Sequence, residues 1–180
     1  MEEADARARF EELYHATYRQ VLAYCRRRTR SSADADDAAA ATFTVAWQRV
    51  ETVLGAEYPL AWLYAVAYRT LSNQRRAGER RHRLRIRLRG LGTVPTETPD
   101  RIVESATDVQ QAFLALSQLP SRDQELIRLA AFENLTYAEM AAVMGTSESS
   151  VRSRLYRARG RLRASYEQLH GGFASEDGGE

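Results

Sequence analysis

Ser149, Arg152, Ser153 and Tyr156 fall within eight residues, with Arg157 beside them. Steps of three and four residues return to the same side of a helix, so the set makes one polar face. Such a face suits recognition better than bond making. The planar guanidinium of arginine can donate two hydrogen bonds to a guanine edge, or it can clamp a phosphate. The helix that would carry these residues holds six arginines by Arg163.

Presenting that face requires a fixed pair of helices, and the stretch from Leu135 to Arg163 supplies the signals for one. Thr136 followed three residues later by Glu139 is a capping box, in which each side chain satisfies an orphan amide of the helix start. Tyr137, Met140, Ala141 and Met144 then form one apolar face. Gly145 can adopt the left-handed conformation that stops a helix, and Ser147 restarts the chain as a second N-cap. Val151, Leu155, Ala158 and Leu162 make the buried stripe of the second helix. Small Ala141, Gly145 and buried Val151 meet the needs of a helix-turn-helix, whose second helix enters a DNA major groove. A solvated basic helix on an ordinary bundle would also show the arginines. The caps, the turn glycine and the clean stripe favour the helix-turn-helix.

The 180 residues leave room for one domain or two small ones. Net charge is only +2, and all 26 basic residues are arginine, but the charge is uneven. Eight arginines lie between Arg75 and Arg89 against the single acid Glu79, whereas Thr96 to Asp108 holds four acids and one arginine. Local field governs attraction to a polyanion more than net charge does. Cys25 is the only cysteine, which excludes an intramolecular disulfide and a cysteine-based zinc site. The acidic N-terminus lacks the apolar core of a signal peptide, and no apolar run approaches the ~20 residues of a membrane span. A cytoplasmic chain is therefore expected. His15, His82 and His170 are scattered, and neither a nucleophile constellation nor a phosphate-binding glycine loop accompanies them. No enzymatic activity, metal site or cofactor is expected.

From the N-terminus, Ala4 to Arg30 reads as a helix with Phe10, Leu13, Tyr14, Thr17, Val21 and Leu22 on one side. Arg26, Arg27, Arg28 and Arg30 at its end complement the helix dipole. Asp34, Asp36 and Asp37 suit the first turn of a second helix through Arg49, with Phe43 and Trp47 on its apolar face. Val50 to Tyr58 reads as a loop. Pro59 then opens a third helix, where its missing amide is no loss. Leu63, Val66 and Thr70 can face the core there, with Ala67 beside them. Trp62, Tyr64 and Tyr68 cannot all be buried on that stripe, so at least one is expected at the surface. Exposed aromatics beside arginines can hold unstacked bases, although helical aromatics are more often core. The basic tract Arg80 to Arg89 either continues this helix or forms a solvated arm. Gly92, Pro95 and Pro99 mark a linker. A helix follows from Asp108 to Leu119 and is broken by Pro120. Ser121 with Gln124 reads as a capping box for the next, through Ala131.

The stretches DADDAAAATFTVAW and WLYAVAYRTLSNQRR, with the run from LSQLPSRDQ to RARGRLR, resemble a bacterial sigma factor of the extracytoplasmic-function group, most closely its actinobacterial members. The similarity covers roughly residues 8–165. It implies an all-α chain of two small helical domains. Residues 1–89 would be domain 2, a three-to-four-helix bundle that binds core RNA polymerase and recognises the −10 element. Residues 90–106 would be a flexible linker, 107–170 the four-helix domain 4 that reads the −35 element, and 171–180 a disordered tail. The resemblance assigns Asp34, Asp36, Asp37, Phe43 and Trp47 to the polymerase surface. It assigns Glu57, Tyr58, Trp62, Tyr64, Arg69, Asn73, Arg75 and Arg76 to melted −10 DNA and its upstream duplex. The −35 duplex falls to Ser149, Arg152, Ser153, Tyr156 and Arg157, the face already reached by helical spacing. Ala41 stands where many members carry glutamate, and Tyr68 where many carry arginine. Glu148 and Ser149 lie where members vary, which implies that they tune sequence preference. The implied partners are core RNA polymerase, promoter DNA and an anti-sigma factor of no encoded identity.

Two other classes fit part of the pattern. A conventional helix-turn-helix regulator would read a palindromic duplex as a dimer, with residues 1–90 sensing a ligand or protein. A helical adaptor would use its basic faces on acidic partners and show no promoter dependence.

Overall fold

Ser31 ends the first polar break in extended backbone and accepts the Asp34 amide at 3.0 Å, which starts a helix. Such breaks divide residues 3–88 and 108–171, those described by the computed structural model, into eight helices with no strand among them. The expected linker, 90–106, lies outside the described residues, as does the expected tail, 171–180, apart from Gly171, which ends the last helix. The helices form two compact units, α1 to α4 in the first and α5, α6 and α8 in the second, with Ala141–Gly145 grouped with the first. No described helix is long and apolar enough to cross a membrane.

In the first unit, α1 (Glu3–Arg26) and α4 (Pro59–Leu88) both pack on α2 (Ser32–Gln48) and on each other. The buried positions of α2 are Ala35, Ala38, Ala39, Thr42, Phe43 and Ala46, the three-and-four alternation of a core stripe. Alanines fill most of it, so neighbouring backbones can approach closely. Thr42 satisfies its buried hydroxyl by donating to the Ala38 carbonyl at 2.7 Å. Val21, Tyr24 and Cys25 line the core from α1. Tyr24 stacks on Tyr64 of α4, with ring centres 4.6 Å apart and planes 19° from parallel.

Three boundaries differ from those the sequence suggests. Helix α1 ends at Arg26, before the expected Arg30, because Arg28 and Thr29 turn back on its last carbonyls. Arg28 Nη1 donates to Tyr24 at 3.0 Å and Thr29 Oγ1 to Cys25 at 3.1 Å. The expected loop 50–58 begins with a short helix, α3 (Val50–Leu54), whose Val53 is fully buried. One turn is too short to display a helical period. Helix α4 begins on Pro59 as expected and continues through the basic tract to Leu88, about 45 Å at 1.5 Å per residue.

The second unit packs α5 (Asp108–Gln118) and α6 (Ser121–Phe132) against α8 (Glu148–Gly171). Ala115, Leu116, Leu119, Leu126 and Leu129 meet the stripe of Val151, Leu155 and Ala158, all buried. Leu162, expected on that stripe, is half-buried. The capping box expected at Ser121 does not form; Pro120 is the N-cap and makes no side-chain bond. Gln124 Nε2 instead donates to the carbonyls of Ser117 at 3.1 Å and Leu119 at 2.8 Å, closing the end of α5.

Between α7 (Tyr137–Met144) and α8, Gly145 sits at φ +62°, while an added Cβ would meet nothing within 4 Å. Gly145→Ala should therefore lose about 1–2 kcal/mol through backbone strain alone. Gly160 has equally open space inside α8 but no positive φ. Gly160→Ala should gain about 0.5–1 kcal/mol. Urea denaturation of the two full-length variants checks the opposite signs.

Candidate nucleic-acid interface

The helix-turn-helix is built by short-range hydrogen bonds. Glu139 Oε2 accepts the Thr136 amide at 2.8 Å, and Thr136 Oγ1 accepts the Glu139 amide at 3.2 Å, completing the expected capping box. After Gly145, Ser147 Oγ accepts the Ser150 amide at 3.3 Å and opens α8. Met140, Ala141 and Val143 are buried in α7. Tyr137, expected on the same apolar face, is 37% exposed.

On α8 the polar face is presented as expected. Glu148, Ser149, Arg152, Ser153, Tyr156 and Arg157 line one open hollow, and Tyr156 is 80% exposed. The six arginines divide by direction. Arg154 and Arg161 turn inward to Asp123 of α6, Arg154 Nε to Oδ1 at 2.8 Å and Arg161 Nη2 to Oδ2 at 2.5 Å. The Asp123 side chain is fully buried, whereas the two arginine side chains keep 38% and 49% of their exposure. Arg152 Nη2 donates to Glu148 Oε1 at 2.7 Å, and its guanidinium carbon lies 5.1 Å from the centre of the Tyr137 ring. Arg163 pairs with Glu167, whose hydrogen bond and then whose charge raise the arginine pKa. The outward face thus displays arginines that no core contact consumes.

In the first unit, Trp62, Arg69, Asn73 and Arg76 recur at seven, four and three residues, one stripe along α4. Arg69, Asn73, Arg75 and Arg76 are exposed, Trp62 and Tyr58 are half-buried, and Glu57 is exposed. Tyr64 departs from this group. It is 2% exposed with its ring on Tyr24, because two residues along a helix from Trp62 is about 200° around it. On α2, Asp34, Asp36 and Asp37 are exposed in or near the first turn. Phe43 is buried against the edge of Tyr14 at 4.8 Å. Trp47 stays 43% exposed with an edge contact to Phe10 at 5.1 Å. No group of metal-ligating side chains occurs among the described residues.

Residues 13–81 match the family described as Sigma-70 region 2, and residues 110–162 match Sigma-70, region 4. The chain is 30% identical over 169 residues to the ECF RNA polymerase sigma factor SigL of Mycobacterium tuberculosis, covering 93% of this chain and 92% of the relative. The chain belongs to the ECF sigma factors. It is also 29% identical over 150 residues to the RNA polymerase sigma factor YlaC of Bacillus subtilis, covering 83% and 87% of the two. Among solved structures, the sigma factor RpoE of Bartonella quintana, in complex with the anti-sigma factor NepR, shares the fold with a TM-score of 0.64. That match is 22% identical and covers 88% of this chain and 96% of the other. CnrH in complex with the cytosolic domain of CnrY gives 0.59 at 22% identity, covering 92% and 94%. An ECF sigma factor binds core RNA polymerase and directs promoter-specific initiation.

Asp123 is the site residue of this sigma factor that pattern reading overlooked. It is one acid in the first turn of a helix, a position that by itself asks for no partner. The available signal was the seven-residue spacing of Arg154 and Arg161, which places two arginines on one side of α8, flanking the stripe of Leu155 and Ala158. Deleting the carboxylate leaves two half-exposed guanidiniums that water can reach, so Asp123→Ala should lower stability by about 1.5–3 kcal/mol. Arg154→Ala with Arg161→Ala leaves a buried carboxylate unpaired and should lower it by about 3–5 kcal/mol. Denaturation midpoints of the two variants, ranked in that order, check the asymmetry.

Proposed function

We propose that this sigma factor reads −35 duplex with Ser149, Arg152, Ser153, Tyr156 and Arg157 of α8. Melted −10 DNA would lie on Glu57, Tyr58, Trp62, Arg69, Asn73, Arg75 and Arg76. The observation that supports it best is the division of α8: Arg154 and Arg161 serve the core, while the five proposed readers share one exposed face. Tyr64 then acts as scaffold through its stack on Tyr24. Core polymerase docks on Asp34, Asp36, Asp37 and Trp47, with Phe43 supporting that surface from inside. Residues 1–89 and 107–170 serve as domains 2 and 4, joined by 90–106. RNA synthesis belongs to the polymerase and takes place in the cytoplasm.

Unstacking a promoter base costs a few kcal/mol, which stacking on an aromatic ring can offset at about 1–3 kcal/mol per base. Trp62 and Tyr58, both half-buried, would supply the rings.

Run-off transcription over a whole genome with purified core polymerase, with and without this chain, tests the reading without a guessed promoter. New starts sharing two upstream elements support it. Duplex binding without core binding or new starts would favour the helix-turn-helix regulator instead. Arg152→Ala should lower discrimination at one −35 base pair by about 1–3 kcal/mol if it reads a base, or weaken all sequences alike if it holds phosphate. Trp47→Ala should weaken core binding by about 2 kcal/mol, the loss typical of an aromatic anchor, as titration with labelled core reads out.

A further inference from the structure

Glu148 has no part in the proposed reading set, yet its carboxylate sits on the reading face. Oε1 accepts Arg152 Nη2 at 2.7 Å, with both side chains about half exposed. On the other side, the Arg152 guanidinium lies 5.1 Å from the ring centre of Tyr137 on α7. Carboxylate and aromatic ring therefore hold the same fork from two elements. As a surface pair, Glu148 and Arg152 contribute little stability.

We infer that Glu148 is a specificity-determining positioning residue, which with Tyr137 fixes the Arg152 guanidinium for one base edge and disfavours its use on phosphate. The inference rests on the proposed −35 reading. Two physical effects carry it. An arginine free in solution loses rotamer freedom when it docks, and one already partly held loses less. A carboxylate beside the fork also repels phosphate oxygens, so the pair retains donors for a base edge while losing its pull on the backbone. The remaining N–H groups of the fork are enough for a two-bond contact.

The test uses holoenzyme assembled from core polymerase and the full chain, transcribing a promoter pool randomised over the −35 element. Glu148→Ala should reduce preference at the base pair read by Arg152 by about 2- to 10-fold, leaving other positions unchanged and raising use of unpreferred sequences. Glu148→Gln, which keeps an acceptor without the charge, should restore part of the preference. In an Arg152→Ala background, Glu148→Ala should change the profile no further. An unaltered profile for Glu148→Ala would overturn the inference. So would a preference change that persists without Arg152, because Glu148 would then read a base itself. If the parent holoenzyme showed no −35 preference, the proposed −35 reading itself would fall, and the inference with it.

Discussion

A buried carboxylate held by two guanidinium groups decides how α8 is presented. Arg154 and Arg161 stand seven residues apart, two turns of helix, and both reach Asp123 near the start of α6. One ion pair would restrain a helix at a point; two along its length restrain its rotation as well. That rotation matters because the proposed readers line one open hollow on the same helix, and a shift of one residue would turn it by about 100°. The apolar stripe of Val151, Leu155 and Ala158 supplies burial but no direction, since hydrophobic contact is non-directional. Hydrogen-bonded charge adds the direction.

The first unit meets the same need with different chemistry. Alanines on α2 let three helices approach closely, and its aromatics separate into two kinds. Tyr24 and Tyr64 lie face to face inside, with the Arg28 guanidinium 3.5 Å from the Tyr24 ring centre. Trp62 and Trp47 keep part of their surface in solvent. A ring already stacked and buried has no free face for a base, whereas a half-exposed one has. Burial therefore sorts scaffold from candidate contact among residues of nearly equal chemistry.

Much of this was legible in the sequence where the signal was local. The Thr136 and Glu139 box, Gly145, Ser147 and the Val151 to Ala158 stripe depend on neighbours within a turn or two, and each stands where spacing put it. The misreadings share a cause in longer range. Ser121 and Gln124 match a capping box, yet Gln124 found better acceptors in carbonyls of the preceding helix. Tyr64 matched the resemblance to a DNA-facing residue, but Tyr24, forty residues earlier, supplies its stacking partner. Asp123 acquires its role only from arginines more than thirty residues later. Helix periodicity describes an element's faces and leaves the partner of each face unspecified.

Arginine on α8 is therefore a poor measure of its attraction for DNA. Of six, Arg154 and Arg161 share Asp123, Arg152 leans on Glu148 and Arg163 on Glu167. Arg157 and Arg159 make no ion pair among the described residues. Affinity for duplex rises with the number of phosphates neutralised, so a helix with part of its charge paired gains less from backbone contact than its six arginines suggest. A lowered general affinity suits a sigma factor that reads two promoter elements. With both units carried on one polymerase, the second contact becomes intramolecular, and two modest interactions combine through effective concentration. A freely basic α8 would bind the many non-promoter sites almost as well, whereas a paired one leaves the geometry of the reading face to decide.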